Sequence, residues 1–179
     1  MSDKQQIRDK IKIKRKYFQG IRREMADLAI LDNFINAFSE YESFFIYNSF
    51  GLEANTKLII NELLKSGKSV YLPRVEGDNI VAVPYGQTKK GTFGIEEPTG
   101  QAYEGGIEVT IIPLLAVNSK GVRIGYGKGY YDRYLKNVNT LKVGLGYDFQ
   151  REEFEGEPHD VPLDLFLCEK GIYFYGTDN

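Results

Sequence analysis

Between Lys4 and Phe38 the apolar residues Ile7, Ile11, Phe18, Ile21, Met25, Leu28, Leu31 and Ile35 return every three, four or seven positions, the repeat of one helix face. Gly20 is a weak point in that repeat, so one or two helices are expected before Ser39. The short aromatic and β-branched run Ser43–Tyr47 predicts a strand, and Leu58, Ile59, Glu62 and Leu63 predict a helix over 56–65 that Gly67 closes. Ser69–Leu72 is the next expected strand, stopped by Pro73 and a turn over 76–79, and Ile80–Val83 a further strand pairing locally. Periodicity then vanishes: Pro84 to Gly106 is rich in Gly, Pro, Thr and Glu and predicts a long excursion without regular structure, a length usually functional or disordered in compact domains. Val109–Ile112 is wholly apolar, followed by a glycine-rich segment, a helix over about 130–137, a strand over 142–145 and strands near Leu165 and Ile172.

Strands that are apolar throughout and alternate with helices are buried on both faces. The expected fold is therefore α/β: a single domain over 1–179, an open, mostly parallel sheet with flanking helices in Rossmann-like layers. In such sheets ligands bind beyond the carboxyl ends of the strands, where the glycine-rich segment falls.

Composition narrows the function classes. Hydrophobic residues at 42% and charged residues at 27% give a globular balance, and a net charge of -2 gives no whole-protein attraction for nucleic acid. One cysteine and one histidine exclude an intramolecular disulfide framework and a Cys/His zinc site, and Cys168, inside an apolar run, reads as a buried inert thiol. The charged segment from Met1 to Lys16 lacks the apolar core of a secretory signal, and the longest uncharged apolar stretch, Val109 to Asn118, has about half the length of a membrane span. A cytoplasmic protein with no membrane partner is expected.

The candidate chemistry lies in Arg123–Asp132. Gly121, Gly125, Gly127 and Gly129 fall among Arg123 and Lys128, with Tyr126, Tyr130 and Tyr131 interleaved. Glycines let the backbone approach an anion and aim N–H groups at it, and the helix that follows presents its positive end. Arg123 can fork onto phosphate oxygens, Lys128 can act as a point cation, the tyrosines can frame a planar ring, and Asp132 can hold magnesium between phosphates. The segment matches neither familiar nucleotide signature. On spacing alone, a phosphate cradle and a mobile charged turn stay equally open.

The full string Arg123-Ile-Gly-Tyr-Gly-Lys-Gly-Tyr-Tyr-Asp132-Arg-Tyr-Leu resembles the signature of the 5-formyltetrahydrofolate cyclo-ligase family, also called methenyltetrahydrofolate synthetases. Lys4 with Arg8, Leu72-Pro-Arg-Val75, Phe93-Gly-Ile-Glu-Glu-Pro98 and Glu157-Pro-His-Asp-Val-Pro-Leu-Asp164 resemble further blocks of that family in the same order. The resemblance implies an ATP- and Mg2+-dependent closure of 5-formyltetrahydrofolate to 5,10-methenyltetrahydrofolate with release of ADP and phosphate. ATP would phosphorylate the formyl oxygen, N10 would attack the activated carbon, and phosphate would leave.

Carried onto this chain, the resemblance makes Lys4, Arg8 and Arg123, Ile124, Gly125, Tyr126, Gly127, Lys128, Gly129, Tyr130 and Tyr131 nucleotide contacts, with Arg123 and Lys128 catalytic. Asn48, Glu53 and the stretch Tyr126 to Tyr130 would face the folate, and Asp132 and Asp160 would hold the metal. Taken alone, the same residues read more plainly: Lys4 and Arg8 as a solvated helix face, Glu53 as a helix cap before Asn55 and Thr56, Asp160 as a turn residue before Pro162. His159 fits a structural or supporting role better than a proton shuttle. Three residues depart from the family pattern. Leu114 and Asn118, where glycine and aspartate are usual, are expected to alter backbone approach and charge beside the site, and Glu96 replaces a common proline. The expected partners are small molecules, ATP and 5-formyltetrahydrofolate, with the protein a monomer. A non-catalytic nucleotide- or folate-binding regulator on the same scaffold is the alternative.

Overall fold

Gly20 takes φ 68°, a value open to glycine but costly for other residues, and divides the first helical stretch into α1 (Asp3–Tyr17) and α2 (Ile21–Phe38). These are the first elements of a computed structural model that describes residues 3–176; Met1, Ser2 and the last three positions, the ends of the single domain expected over 1–179, lie outside the described residues. After them come β1 (Ser43–Ile46), α3 (Lys57–Lys65), β2 (Ser69–Glu76), β3 (Asn79–Pro84), β4 (Thr88–Lys90), β5 (Glu96–Pro98) and β6 (Val109–Ile112). The remainder is β7 (Ala116–Val117), β8 (Arg123–Ile124), α4 (Tyr130–Leu135), β9 (Leu141–Leu145), β10 (Leu165–Cys168) and β11 (Gly171–Phe174).

Seven strands form one sheet in the order β11-β10-β9-β6-β1-β2-β3. The five from β10 to β2 are mutually parallel, with β11 and β3 antiparallel at the edges. Alternation along the buried strands splits the core. Phe44 and Ile46, Val109 and Ile111, and Leu165 and Leu167 face the layer of α2 and α3, where Ile30, Phe34, Ile59 and Leu63 cover them. Ile112, Phe166 and Cys168 face the other way, under Leu135 of α4 and Leu163. The expected parallel, layered α/β fold is what forms, and burial pushes the Cys168 thiol up to about 11, as suits an inert core cysteine.

Three local expectations differ. The aliphatic stripe read as a core face on α2 points outward: Ile21 and Met25 are 73% and 66% exposed, while Ala26, Ile30, Phe34 and Phe38 are buried. The aromatic face removes more apolar area from water and wins the contest. Pro73 does not end its strand. It lies where β2 runs past the register with β1, which covers Ser69 to Tyr71, so the N–H it lacks has no ladder partner to miss; on the same edge Val75 N donates to Glu97 Oε2 at 2.7 Å. The excursion 84–106 contains an antiparallel ribbon, β4 with β5, in which Lys89 opposes Glu97 and Lys90 opposes Glu96.

After β1 the chain crosses to β2 on one side, and it later returns to β6 on the other. The carboxyl ends of β1 and β6 thus flank the switch point of the sheet, the usual mouth of a ligand crevice in this architecture.

Candidate active site

A cleft of about 980 Å³ opens at that switch point. Its floor is Tyr47 and Asn48 beyond β1 and Pro113 beyond β6, and its walls are α1, the loop Phe50–Glu53, the tip of the β4–β5 ribbon, the glycine-rich segment and the turn 157–160. Every residue singled out in the sequence lines it: Lys4, Arg8, Asn48, Glu53, the stretch from Arg123 to Asp132, and Asp160.

The glycine-rich segment begins as strand, not loop. Arg123 and Ile124 pair with Val117 and Ala116, which fixes the start of the segment before it turns. Gly127 at φ 95° and Gly129 at φ 72° make the turn, and Gly129 caps α4. A Cβ at Gly129 would demand a left-handed conformation and meet Arg133 Nη1 at 2.7 Å. At six residues α4 has a short dipole, so attraction for anions rests chiefly on the side-chain cations nearby.

Those cations line the cleft from three elements, α1, the glycine-rich segment and its start in β8. Lys4 Nζ lies 3.3 Å from Glu157 Oε1 and 3.7 Å from Asp160 Oδ2, and Arg8 Nε donates to the Gly125 carbonyl at 3.2 Å. Arg123 is buried; its Nη1 donates to Pro113 O at 3.2 Å, its Nη2 lies 3.8 Å from Asp132 Oδ2, and its Nε has no partner. Burial lowers the pKa of this guanidinium, while Asp132, Tyr131 and Asp160 act against the shift. Lys128 is exposed at the rim, 5.9 Å from the Phe93 ring centroid.

A second group of contacts is organised around Glu53. Its Oε1 accepts from Phe50 N at 2.8 Å and its Oε2 from the Tyr126 hydroxyl at 3.3 Å. Arg23 Nη2 donates to the carbonyls of Gly51 and Glu53, both at 2.9 Å, and clamps the loop that carries the carboxylate. Glu53 therefore does not cap α3, where the Asn55 side chain accepts from Lys57 N instead. Burial raises the Glu53 carboxyl, pushes the Tyr126 hydroxyl up to about 12 and raises Tyr47 and Tyr131 further, so the tyrosines are neutral donors.

Asp160 holds its turn as well as lining the cleft, for its Oδ2 accepts from Glu157 N at 2.7 Å. Exposed His159 pairs with Glu157 at 3.2 Å at the mouth. Among the described residues no group of three or more His, Cys, Asp and Glu side chains is placed to hold a metal. Asp132 and Asp160 both bear on the Arg123 guanidinium, and two carboxylates beside open space suit magnesium that arrives on phosphates and keeps several waters.

Leu114 and Asn118 do not face the site. Leu114 packs with Leu163 and Phe166, and Asn118 is buried under the β7–β8 hairpin, accepting from Lys120 N and Val122 N and donating to Phe154 O. The expected disturbance beside the site does not arise from them; Glu96 does line the cleft. Several lining residues escaped sequence reasoning, among them Tyr47, Phe50, Phe93 and, the only buried cation of the group, Arg15, which occupies a core position on the α1 face of Ile7 and Ile11. A charge inside an apolar repeat was the signal for Arg15.

A model of the 5-formyltetrahydrofolate cyclo-ligase family matches residues 1–169. The 5-formyltetrahydrofolate cyclo-ligase of Haemophilus influenzae is 30% identical over 176 residues, covering 89% of this chain and 94% of its own. That of Mycoplasma genitalium is 46% identical over 76 residues, covering 41% of this chain and 46% of its own. The solved structure of Aquifex aeolicus 5,10-methenyltetrahydrofolate synthetase superposes with a TM-score of 0.87 at 30% identity, over 98% of this chain and 94% of that one.

Proposed function

This chain belongs to the 5-formyltetrahydrofolate cyclo-ligase family, and on that premise we propose that it is an enzyme converting 5-formyltetrahydrofolate and ATP into 5,10-methenyltetrahydrofolate, ADP and phosphate. The observation that carries the reading is a single cleft lined by two chemically distinct sets of groups: the cations Lys4, Arg8, Arg123 and Lys128, and a half-buried, anchored Glu53 carboxylate among tyrosines.

The lining of the cleft supports a division of labour. Lys4, Arg8 and Lys128, with the N–H groups from Gly125 to Gly129, hold the phosphates of ATP. Glu53 accepts the paired N–H donors of the pterin, with Asn48 beside it, and the faces of Tyr126 and Tyr130 frame the ring. The γ-phosphoryl group passes to the formyl oxygen, N10 attacks the activated carbon, and loss of phosphate closes the ring. Phosphoryl transfer requires mainly positioning and charge stabilisation, and Arg123, with its free Nε in a dry site, supplies both as charge develops. Magnesium, held by Asp132 and Asp160 together with phosphate oxygens, would offset charge on the phosphates. In this proposal the protein is a monomer acting in the cytoplasm.

The test is optical. Purified protein with ATP, Mg2+ and 5-formyltetrahydrofolate should produce the near-ultraviolet absorbance of the methenyl product, dependent on both ATP and metal. Binding of ATP or folate without that rise would favour the regulator in place of the enzyme.

A further inference from the structure

Arg15 is the least expected charge in the cleft. It is 7% exposed, follows Ile11 by one helical turn on the apolar side of α1, and forms no ion pair among the described residues. Taking a guanidinium out of water without a carboxylate against it is costly, and a methionine or leucine would serve packing alone better. Its hydrogen bonds indicate what the charge is for. Nη2 donates to Leu114 O at 3.2 Å, which fixes the plane of the group, and Nη1 donates to the Tyr126 hydroxyl at 2.9 Å. That hydroxyl has one proton, and it goes to Glu53 Oε2.

We propose that Arg15 is a positioning residue for the second substrate: by saturating the Tyr126 oxygen it commits the hydroxyl proton to Glu53 and holds the carboxylate aimed into the cleft. This rests on the reading of Glu53 as the pterin-binding carboxylate. With one oxygen tied to Phe50 N and the other to Tyr126, each keeps a lone pair for one donor of a two-donor edge. Without Arg15 the phenol can turn away and donate elsewhere, and Glu53 keeps one anchor of two. Lys4 and Arg8, on the same helix, make their contacts with Glu157, Asp160 and the Gly125 carbonyl, and not through the Tyr126 hydroxyl.

The charge contributes as well. Glu53 is faced by Arg15 from α1, Tyr126 from the glycine-rich segment, Lys57 from α3, Tyr47 from the end of β1, Tyr131 from α4 and the N–H of Phe50. Burial raises its carboxyl, and Phe50, Arg15, Tyr126 and Lys57 oppose the rise. Loss of Arg15 therefore moves the carboxyl higher, and the pH below which folate binding fails moves up with it.

The experiment measures initial rates with each substrate varied, across pH, for Arg15→Met, Arg15→Lys, Tyr126→Phe and Glu53→Gln. Arg15→Met should raise KM for 5-formyltetrahydrofolate about tenfold or more while KM for ATP stays within about twofold, and should shift the acid limb of kcat/KM for folate to higher pH. Arg15→Lys should restore the limb, since it keeps the charge, but not KM, since an ammonium cannot fork between Leu114 O and Tyr126. Tyr126→Phe leaves Arg15 and its bond to Leu114 in place and should raise folate KM to a similar degree; with Arg15→Lys it decides the matter if Arg15→Met does not fold. Equal changes in both KM values, or an unmoved folate KM in Tyr126→Phe and Arg15→Lys, would overturn the inference. If Glu53→Gln raises folate KM while those variants do not, only the role of Arg15 fails; if Glu53→Gln leaves folate KM unchanged, the pterin assignment itself fails.

Discussion

At Glu53, burial outweighs the Phe50 N–H, Arg15, Tyr126 and Lys57, and the folded-state carboxyl titrates above its unfolded value. As pH rises from the ordinary carboxylate range near about 4.3, the unfolded chain ionises first, so stability falls until pH passes the raised folded pKa. Above that point a constant penalty remains. Glu53→Gln should remove it: the melting temperature of the variant should exceed that of the parent at neutral pH, with the gap closing as pH drops toward 4, while folate KM rises. A gap independent of pH would mean that the carboxylate is not ionised at a cost. Glu53 could be named from the sequence only by resemblance, because a lone glutamate in a loop has no pattern of its own. Arg15 shows in the sequence only as a charge inside an apolar repeat; its purpose depends on Tyr126 and Leu114, which the chain brings to it from about a hundred residues away.

The ribbon tip shows how an element can serve the site at its own expense. Phe93 sits at φ 66°, the only described non-glycine residue with positive φ, with its ring 59% exposed and beside Lys128. A left-handed backbone costs a non-glycine residue roughly 1–2 kcal/mol, and an exposed ring returns little of it by packing. Phe93→Gly should leave the melting temperature equal or higher while raising KM for the substrates, because the aromatic wall over Lys128 is gone; a melting temperature several degrees lower would show that the ring serves the fold. Elements with a strong repeat, such as the parallel strands and α3, were legible in the chain from apolar content alone. The β4–β5 ribbon was not, since three-residue strands of Lys, Glu and Thr carry no alternation, and only the opposed charges of Lys89 and Lys90 with Glu97 and Glu96 betray it. On α2 two apolar faces compete, and spacing cannot say which is larger.

At the scale of the whole molecule, no group of three or more His, Cys, Asp and Glu side chains among the described residues is placed to hold a metal, so chelation should leave the melting temperature of the ligand-free protein unchanged. ATP at about a hundred times its dissociation constant should raise it by roughly 5–10 °C, and chelation should remove most of that rise. Asp132→Asn should shift the metal requirement of the rise to higher concentration; an identical titration would remove Asp132 from the metal's surroundings.

The ion pair between Lys4 and Asp160 joins the first helix to the last turn before β10, and this bears on how the protein comes into being. A ribosome adds roughly 5–20 residues per second, so α1 waits on the order of 10–30 s for the groups it must meet. Through that interval Lys4 stands without its two carboxylate partners. A nascent chain stalled before the turn at 157–160 would carry Lys4, Arg8, Arg123 and Lys128 yet lack Glu157 and Asp160, so one wall of the cleft is completed only when the last part of the chain emerges.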